Sequence, residues 1–346
     1  MTVFLNSTIK IKMTQIKRTI VFTLIFTLTC LHPQPIWAWG FYGHKFINHH
    51  AVFLLPPQMM VWYKKNIDYI TNHAADPDKR RNMLAYEGPR HYLDIDYYGK
   101  YPYPNLPRRW AEAVAKYTID TLQAHGIVPW WIQVMQQKLT QAFKDKDATK
   151  ILKISADIGH YIADAHVPLH ASSNHNGQLT GQQGIHGFWE SRIPELLAEK
   201  EWDFFIGPAE YIKNPLDFTW KRLLESAIAA DTVLSVEKAL SLKVPTDQQY
   251  SFGKKNGKAV KQYSTYYTLL YNKALQGMVE RRMQQSIYAV ACFWYTAWVN
   301  AGQPDLSLLA QSTTSNINTP SDSLDVVQDA WQQAKLVQRT HEEEEK

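Results

Sequence analysis

The sequence predicts an all-α protein: a single multi-helix domain spanning about residues 39–305, with a loose C-terminal tail. Three observations carry that expectation. Apolar residues recur at helical spacing along most of the chain, whereas strand-like alternation is scarce, the best short stretch being 92–98. Hydrophobic residues make up 45% of the 346, including 12 Trp, 19 Tyr and 13 Phe, which supplies a core and excludes a disordered chain. No internal repeat is visible, and the 15 glycines follow no period.

The first 38 residues read as an export signal. Lys10, Lys12, Lys17 and Arg18 precede an apolar stretch at 19–31, and Ala38 offers a cleavage point before Trp39. Either Met1 or Met13 can serve as the start, and an uncleaved anchor is the alternative reading. An apolar-rich helix at 47–55 follows and is ended by Pro56 and Pro57. Residues 59–70 carry Met, Val, Trp, Tyr and Ile at helical spacing. The stretch 108–125 is amphipathic, with Trp110, Val114, Tyr117 and Leu122 near one face. Pro129 opens the next helix in the favoured first-turn position, and that helix runs to about 146.

The segment 147–149 caps a helix whose Ile151, Ile154, Ile158 and Ile162 form one stripe, stopped by Pro168. Residues 171–185 are rich in Ser, Asn, Gly and Gln and read as a loop. Further helices are expected at 186–200, 216–242 and 260–300. The stretch 311–323 is a Ser/Thr/Asn-rich linker, so 306–346 is assigned to linker and tail, with a short helix at 326–337 and an acidic end.

The leader holds four of the 37 Lys and Arg and none of the 32 Asp and Glu, so the processed chain is nearly balanced. It offers no global cationic field, which disfavours a nucleic-acid binder acting by bulk electrostatics. Processing removes Cys30 and leaves Cys292 alone, so no internal disulfide is expected. Lys254, Lys255, Lys258 and Lys261 cluster near Gly253 and Gly257 and read as a solvated loop, with a phosphate or anionic-lipid contact as the alternative.

The chemistry concentrates in 31 residues. His160 and Asp164 are four apart on the isoleucine helix and therefore share a face; His186 and Glu190 repeat the spacing, and His170 follows Pro168 between them. One such pair is usually a surface hydrogen bond. Two pairs with a bracketing histidine, on a helix that is mostly buried, point to metal, because buried charges need partners. A chain beginning at Trp39 would offer its α-amino group and carbonyl as a chelate, with His44 within reach. Asp76 after Ala74-Ala75, and His91 in the run Arg90 to Asp96, add further candidates. His49 and His50 read as packing residues, and His166 faces away from the His160–Asp164 stripe.

Together, in order, these residues resemble the zinc-dependent phospholipase C and S1/P1 nuclease superfamily, with the resemblance running from Trp39 to about Glu190. It implies an all-helical domain with three zinc ions. Asp76, His91, His160 and Asp164 would hold one; Asp164, His44 and the Trp39 amine and carbonyl a second; His170, His186 and Glu190 the third. It further implies hydrolysis of a phosphate ester, Asp76 orienting or deprotonating the attacking water and Lys79 acting as a transition-state cation.

The substrate splits the superfamily. The Trp-Gly-x-x-Gly-His start at Trp39 matches the nuclease branch, as do Tyr92 and Asp94 where that branch binds a base. Ala74-Ala75-Asp76 and the closing Glu190 match the phospholipase branch, towards which the reading leans. A non-catalytic exported zinc-binding protein is the reading from another class. No feature demands a protein partner, and a monomer is expected.

Overall fold

Two helices meeting through a glycine set the frame. In the computed structural model, which describes residues 40–81, 83–255 and 258–309, α1 (Gly40–Ala51) buries Gly40, Gly43, His44, Ile47, Asn48 and Ala51. That is the three-and-four spacing of a single helix face. The face lies on α8 (Ala148–Asp164), where Gly159 opposes Asn48 so closely that a Cβ would fall inside the Asn48 carboxamide. Asn48 Nδ2 donates to Ala156 O at 3.1 Å, which fixes the approach. The close contact brings His44, one turn before Asn48, against His160.

α8 is central. Asp147 caps it by accepting from the Lys150 amide, and Ile151, Leu152, Ile158, Tyr161 and Ile162 are buried. α7 (Val128–Lys144) lies along one side, with Pro129 in its first turn, and α14 (Met278–Asn300) crosses α1, α7 and α8. Trp294 Nε1 donates to Ser155 O at 3.0 Å, and Tyr63 of α2 (Pro57–Lys65) reaches Ser155 Oγ while stacking on Trp294. The long α11 (Pro215–Ser241) covers the turn at Pro168–Ala171 that follows α8. α3 (Ile67–Asn72) and the short α4 (Asp76–Arg81) complete the α1 side of the core.

The all-α expectation holds, and four local expectations do not: the stretch at 59–70 is divided at Asn66 between α2 and α3. The stretch 92–98 is not a strand: 3-10 turns at Gly88–His91 and Ile95–Tyr98 carry it. The amphipathic stretch at 108–125 is two helices, α5 (Trp110–Tyr117) and α6 (Ile119–Ala124), broken where Thr118 takes φ 68°. The expected helix at 260–300 is three elements. After α12 (Thr246–Gln249), strands β1 (Tyr250–Lys255) and β2 (Lys258–Tyr263) form an antiparallel hairpin, pairing Tyr250 with Tyr263 and Lys255 with Lys258. α13 (Thr265–Ala274) follows, and positive φ at Gln276 and Gly277 separates it from α14. The leader, Trp39, the linker and the 326–337 helix lie outside the described residues. Among the described residues no helix is long and apolar enough to cross a membrane.

Candidate metal centre

Four histidines and two carboxylates meet between α1, α4, α8 and the turns that follow them, and the next helical run adds one of each to the same cluster. Three groups of ligand atoms are close enough to share an ion: His44, His160 and Asp164; Asp78, His91 and His160; His170, His186 and Glu190. All eight residues are buried. The groups are contiguous, since His160 belongs to two of them and Asp164 Oδ1 lies 3.8 Å from His170 Nδ1.

Local structure selects which nitrogen each histidine presents. His160 Nδ1 donates to Ala74 O at 2.9 Å, His170 Nδ1 to His91 O at 2.6 Å and His186 Nδ1 to His175 O at 3.1 Å. A carbonyl can only accept, so each ring turns Nε2 inward as the remaining nitrogen. His170 Nε2 then faces His186 Nε2 at 3.1 Å, with Glu190 Oε1 3.1 Å from His186. His91 is reversed: its Nδ1 lies 2.9 Å from Asp164 Oδ2 and 3.0 Å from His160 Nε2. Its Nε2 lies 3.7 Å from Glu87 Oε1. The continuous run from α9 (Ile185–Gly187) through a π-helical turn (Phe188–Arg192) into α10 (Ile193–Glu201) carries His186 and Glu190 four apart on one face, as their spacing requires.

The buried charges are strongly coupled. Burial would raise the Asp78 carboxyl, but His160 and His91 hold it at about 2; His186 and His170 do the same for Glu190, also about 2. Asp164 is likewise held well below the ordinary carboxylate range. Burial opposes a charge on His160, yet Asp164 and Asp78 outweigh it and raise the ring to about 10. His44, stacked on His160 at 3.7 Å, is pushed down to about 3 by burial and by that neighbour. The cluster therefore gathers three carboxylates, each held below its ordinary range, around His160, and dications would complement that concentration of negative charge.

The donor set fits a zinc-type ion. Opposed imidazole nitrogens at 3.0 and 3.1 Å place lone pair against lone pair unless a proton or a metal stands between them. His44 Nδ1 and Nε2, His91 Nε2, Asp78 Oδ2, Asp164 Oδ1 and Glu190 Oε2 are buried without hydrogen-bond partners. Each such orphan costs about 1–3 kcal/mol in a metal-free fold.

The structure differs from the sequence expectation at Asp76. The buried side of α4 carries Pro77 and Asp78, continuing from buried Ala74 and Ala75, so Asp78 meets His91 and His160 at 3.7 and 3.5 Å. Asp76 lies on the other side of α4, where its oxygens accept from His73 Nδ1 at 2.5 Å and Lys79 Nζ at 2.6 Å. Partial burial raises the Asp76 carboxyl, but those two bonds carry it below its ordinary value. Lys79 is exposed and lies 5.4 Å from the Phe41 ring.

Tyr92 is fully buried, with Val128 N bonded to its carbonyl and Gly126 packed too tightly against it to carry a side chain. Its ring offers no open face for stacking a base. Asp94 is buried too, 4.0 Å from His125 Nδ1; the exposed aromatic at this rim is Tyr97, stacked on His125. His50 packs on Phe46, and His166 donates to Ile162 O away from the cluster. Trp39 lies outside the described residues.

Asp78 and Glu87 were not singled out from the sequence. Asp-Pro-Asp at 76–78 displays both carboxylates, and the burial of Ala74-Ala75 is the signal that favours the second. Glu87 is the hub of a buried charge network: it accepts from Arg90 Nη1 at 2.9 Å and from the Tyr161 hydroxyl. Arg80 Nε stands 3.5 Å from Glu87 and Arg80 Nη2 3.1 Å from Asp157.

No family model matches the chain, and no curated protein does. Among solved structures, an alpha toxin from Clostridium absonum matches with a TM-score of 0.45 and 12% identity, covering 76% of this chain and 65% of the toxin chain. The chain thus spans just under two thirds of the length of that protein.

Proposed function

We propose that this chain is an exported zinc-dependent hydrolase of phosphoric esters, of the phospholipase C and S1/P1 nuclease superfamily, with phospholipid as its substrate class. The observation that carries this reading is the set of opposed imidazole contacts, His160 to His91 and His170 to His186, flanked by Asp78, Asp164 and Glu190. These are seven of the eight residues in the three groups, and the sequence resemblance picks out all but Asp78. His44, His160 and Asp164 would hold one ion, completed by the Trp39 terminus; Asp78, His91 and His160 a second; His170, His186 and Glu190 a third.

Zinc bound there supplies Lewis acidity towards a phosphoryl oxygen and lowers the pKa of coordinated water. The protein residues orient and position. Carbonyls of Ala74, His91 and His175 lock three imidazoles in one tautomer, and Glu87 places negative charge behind the fourth. Asp76, kept ionised by its lowered pKa, anchors Lys79, the cation that the resemblance assigns to the phosphate. With its oxygens committed to His73 and Lys79, Asp76 serves that positioning role better than it would serve as a base. The burial of Tyr92 favours the phospholipid branch over base-stacking nuclease chemistry.

The test is hydrolysis of bis-p-nitrophenyl phosphate by processed protein, with and without chelator and with zinc restored. Phosphatidylcholine and single-stranded DNA are then compared as substrates. Zinc-dependent turnover with preference for the lipid supports the reading. Preference for DNA moves it to the nuclease branch, and bound zinc without turnover makes the protein a non-catalytic zinc binder.

A further inference from the structure

Between α10 and α11 the chain runs extended from 202 to 212, and its first side chains alternate. Trp202, Phe204 and Ile206 are half-buried, whereas Asp203, Phe205 and Gly207 face outward, the period of two that an extended backbone imposes. This strap is fastened along its length. Asp203 N donates to Glu280 Oε1 at 3.0 Å, Ala209 N to Leu54 O at 2.8 Å and Ile212 N to Thr296 Oγ1 at 2.9 Å. Its outward positions thus include one large aromatic ring. Phe205 is 98% exposed, so the ring has almost no protein surface against it.

A cavity of about 310 Å³ opens beside it, between the strap, α11 and α14. Phe205 and Ile206 line it from the strap, Phe218 from α11 and Tyr288 from α14. Arg222, Gln284 and Gln285 are its polar groups. Aromatic and apolar walls with a few polar groups are the composition of a small-molecule site, and the volume suits one. Of these lining residues Arg222 alone is charged.

Arg222 follows Phe218 by four on α11, so the two share a face, and its Cζ stands 5.3 Å from the Phe218 ring. Its Nη1 pairs with Glu225 Oε2 at 2.9 Å, and the same oxygen lies 3.3 Å from Arg282 Nη1. Two guanidiniums therefore share one carboxylate, leaving one positive charge in excess. Arg222 Nε is buried without a hydrogen-bond partner, and Nη2 has none among the described residues. The Nε–Nη2 edge is a planar fork of the kind that takes a carboxylate through two bonds. Gln285 adds a donor: its Oε1 accepts from Arg282 Nη1 at 3.1 Å, which leaves Nε2 to donate elsewhere.

We propose that this cavity binds a small aromatic carboxylate, its ring among Phe205, Phe218 and Tyr288 and its anionic end on the Arg222 fork beside Gln285. A singly charged planar anion matches one excess charge and one open fork. A phosphate dianion would find no second cation in the lining. Three ring faces select an aromatic body, and the ligand would give the Phe205 ring the packing partner it lacks. The cavity shares no residue with the three ligand groups of the metal centre, so the proposal is independent of the phosphoric-ester reading.

The experiment is calorimetric titration of full processed protein with 1-naphthylacetate and with its neutral analogue 2-(1-naphthyl)ethanol. The acid should bind saturably and about tenfold or more tighter than the alcohol. Arg222→Met should erase that preference, and it leaves Glu225 paired with Arg282. Phe205→Ser, at a position exposed to solvent, should weaken acid and alcohol alike. Circular dichroism and zinc content confirm that both variants fold.

Absence of saturable binding, or equal affinity for acid and alcohol, overturns the proposal. So does an Arg222→Met or Phe205→Ser variant that binds the acid as the wild type does, since the probe then sits elsewhere, as on a metal ion.

Discussion

Asp76 and Asp78 are two residues apart and have different roles. On a helix two positions differ by about 200°, so one carboxylate faces the histidines and the other the rim. Asp78→Asn should lower zinc content by about one ion per chain. Asp76→Asn should leave zinc near normal while raising KM or lowering kcat through a released Lys79. Elemental analysis beside steady-state kinetics reads both, and a zinc loss confined to Asp76→Asn would reverse the assignment.

Glu87 is a second residue whose role follows from what surrounds it. Removing its charge leaves Arg90 without its carboxylate in the interior and Arg80 with Asp157 alone, a defect worth up to about 3–5 kcal/mol. Glu87→Gln should show that loss in urea unfolding. The pH dependence has a definite sign. Burial would raise the Glu87 carboxyl, but Arg80 and Arg90 hold it well below its ordinary 4.5. A depressed carboxyl contributes stability in full above its unfolded value and loses it as pH falls towards the folded one. Wild-type stability should therefore decline more steeply below about pH 4.5 than that of Glu87→Gln, as acid titration of the unfolding free energy would measure.

At the scale of elements, the approach of α1 to α8 decides whether His44 reaches His160. Gly159 is the enabling position, and Asn48, held by Ala156 O, cannot yield freely. Gly159→Ala should cost about 1–3 kcal/mol through overpacking. It should also weaken zinc retention at the His44 group more than at the His170 group. Thermal unfolding with competitive chelation separates the two effects.

The helical elements were largely legible: the isoleucine stripe of α8, the cap at Asp147 and the proline opening α7 are local signals. The hairpin was not read, although Asn256-Gly257 is the commonest two-residue hairpin turn sequence. Four lysines around it spoke for solvent, and the aromatic residues Tyr250 and Tyr263 look the same in a helix as in a strand. The break at Gly277 was hidden because one glycine within helical periodicity costs only about 1 kcal/mol.

For the whole molecule, the proposed ions would stabilise the fold. The groups are buried and several of their atoms lack a hydrogen-bond partner, so binding free energy would be folding free energy. Stripping zinc should lower the unfolding temperature, each tight site contributing about 4 kcal/mol at a thousandfold excess over its Kd. Calorimetry of the same protein before and after chelation, then after zinc is restored, measures it. An unchanged unfolding temperature would remove metal from the stability of the fold.

The sequence alone determined the helical class, the central amphipathic helix and the pairs at four-residue spacing, because these depend on periods that a chain displays locally. Which carboxylate turns inward, that Tyr92 is walled in, and that Glu87 stands behind His91 were decided by tertiary structure. Those facts depend on how helices rotate against one another, and that rotation is set by distant contacts such as Gly159 on Asn48, which carry no periodic trace in the chain.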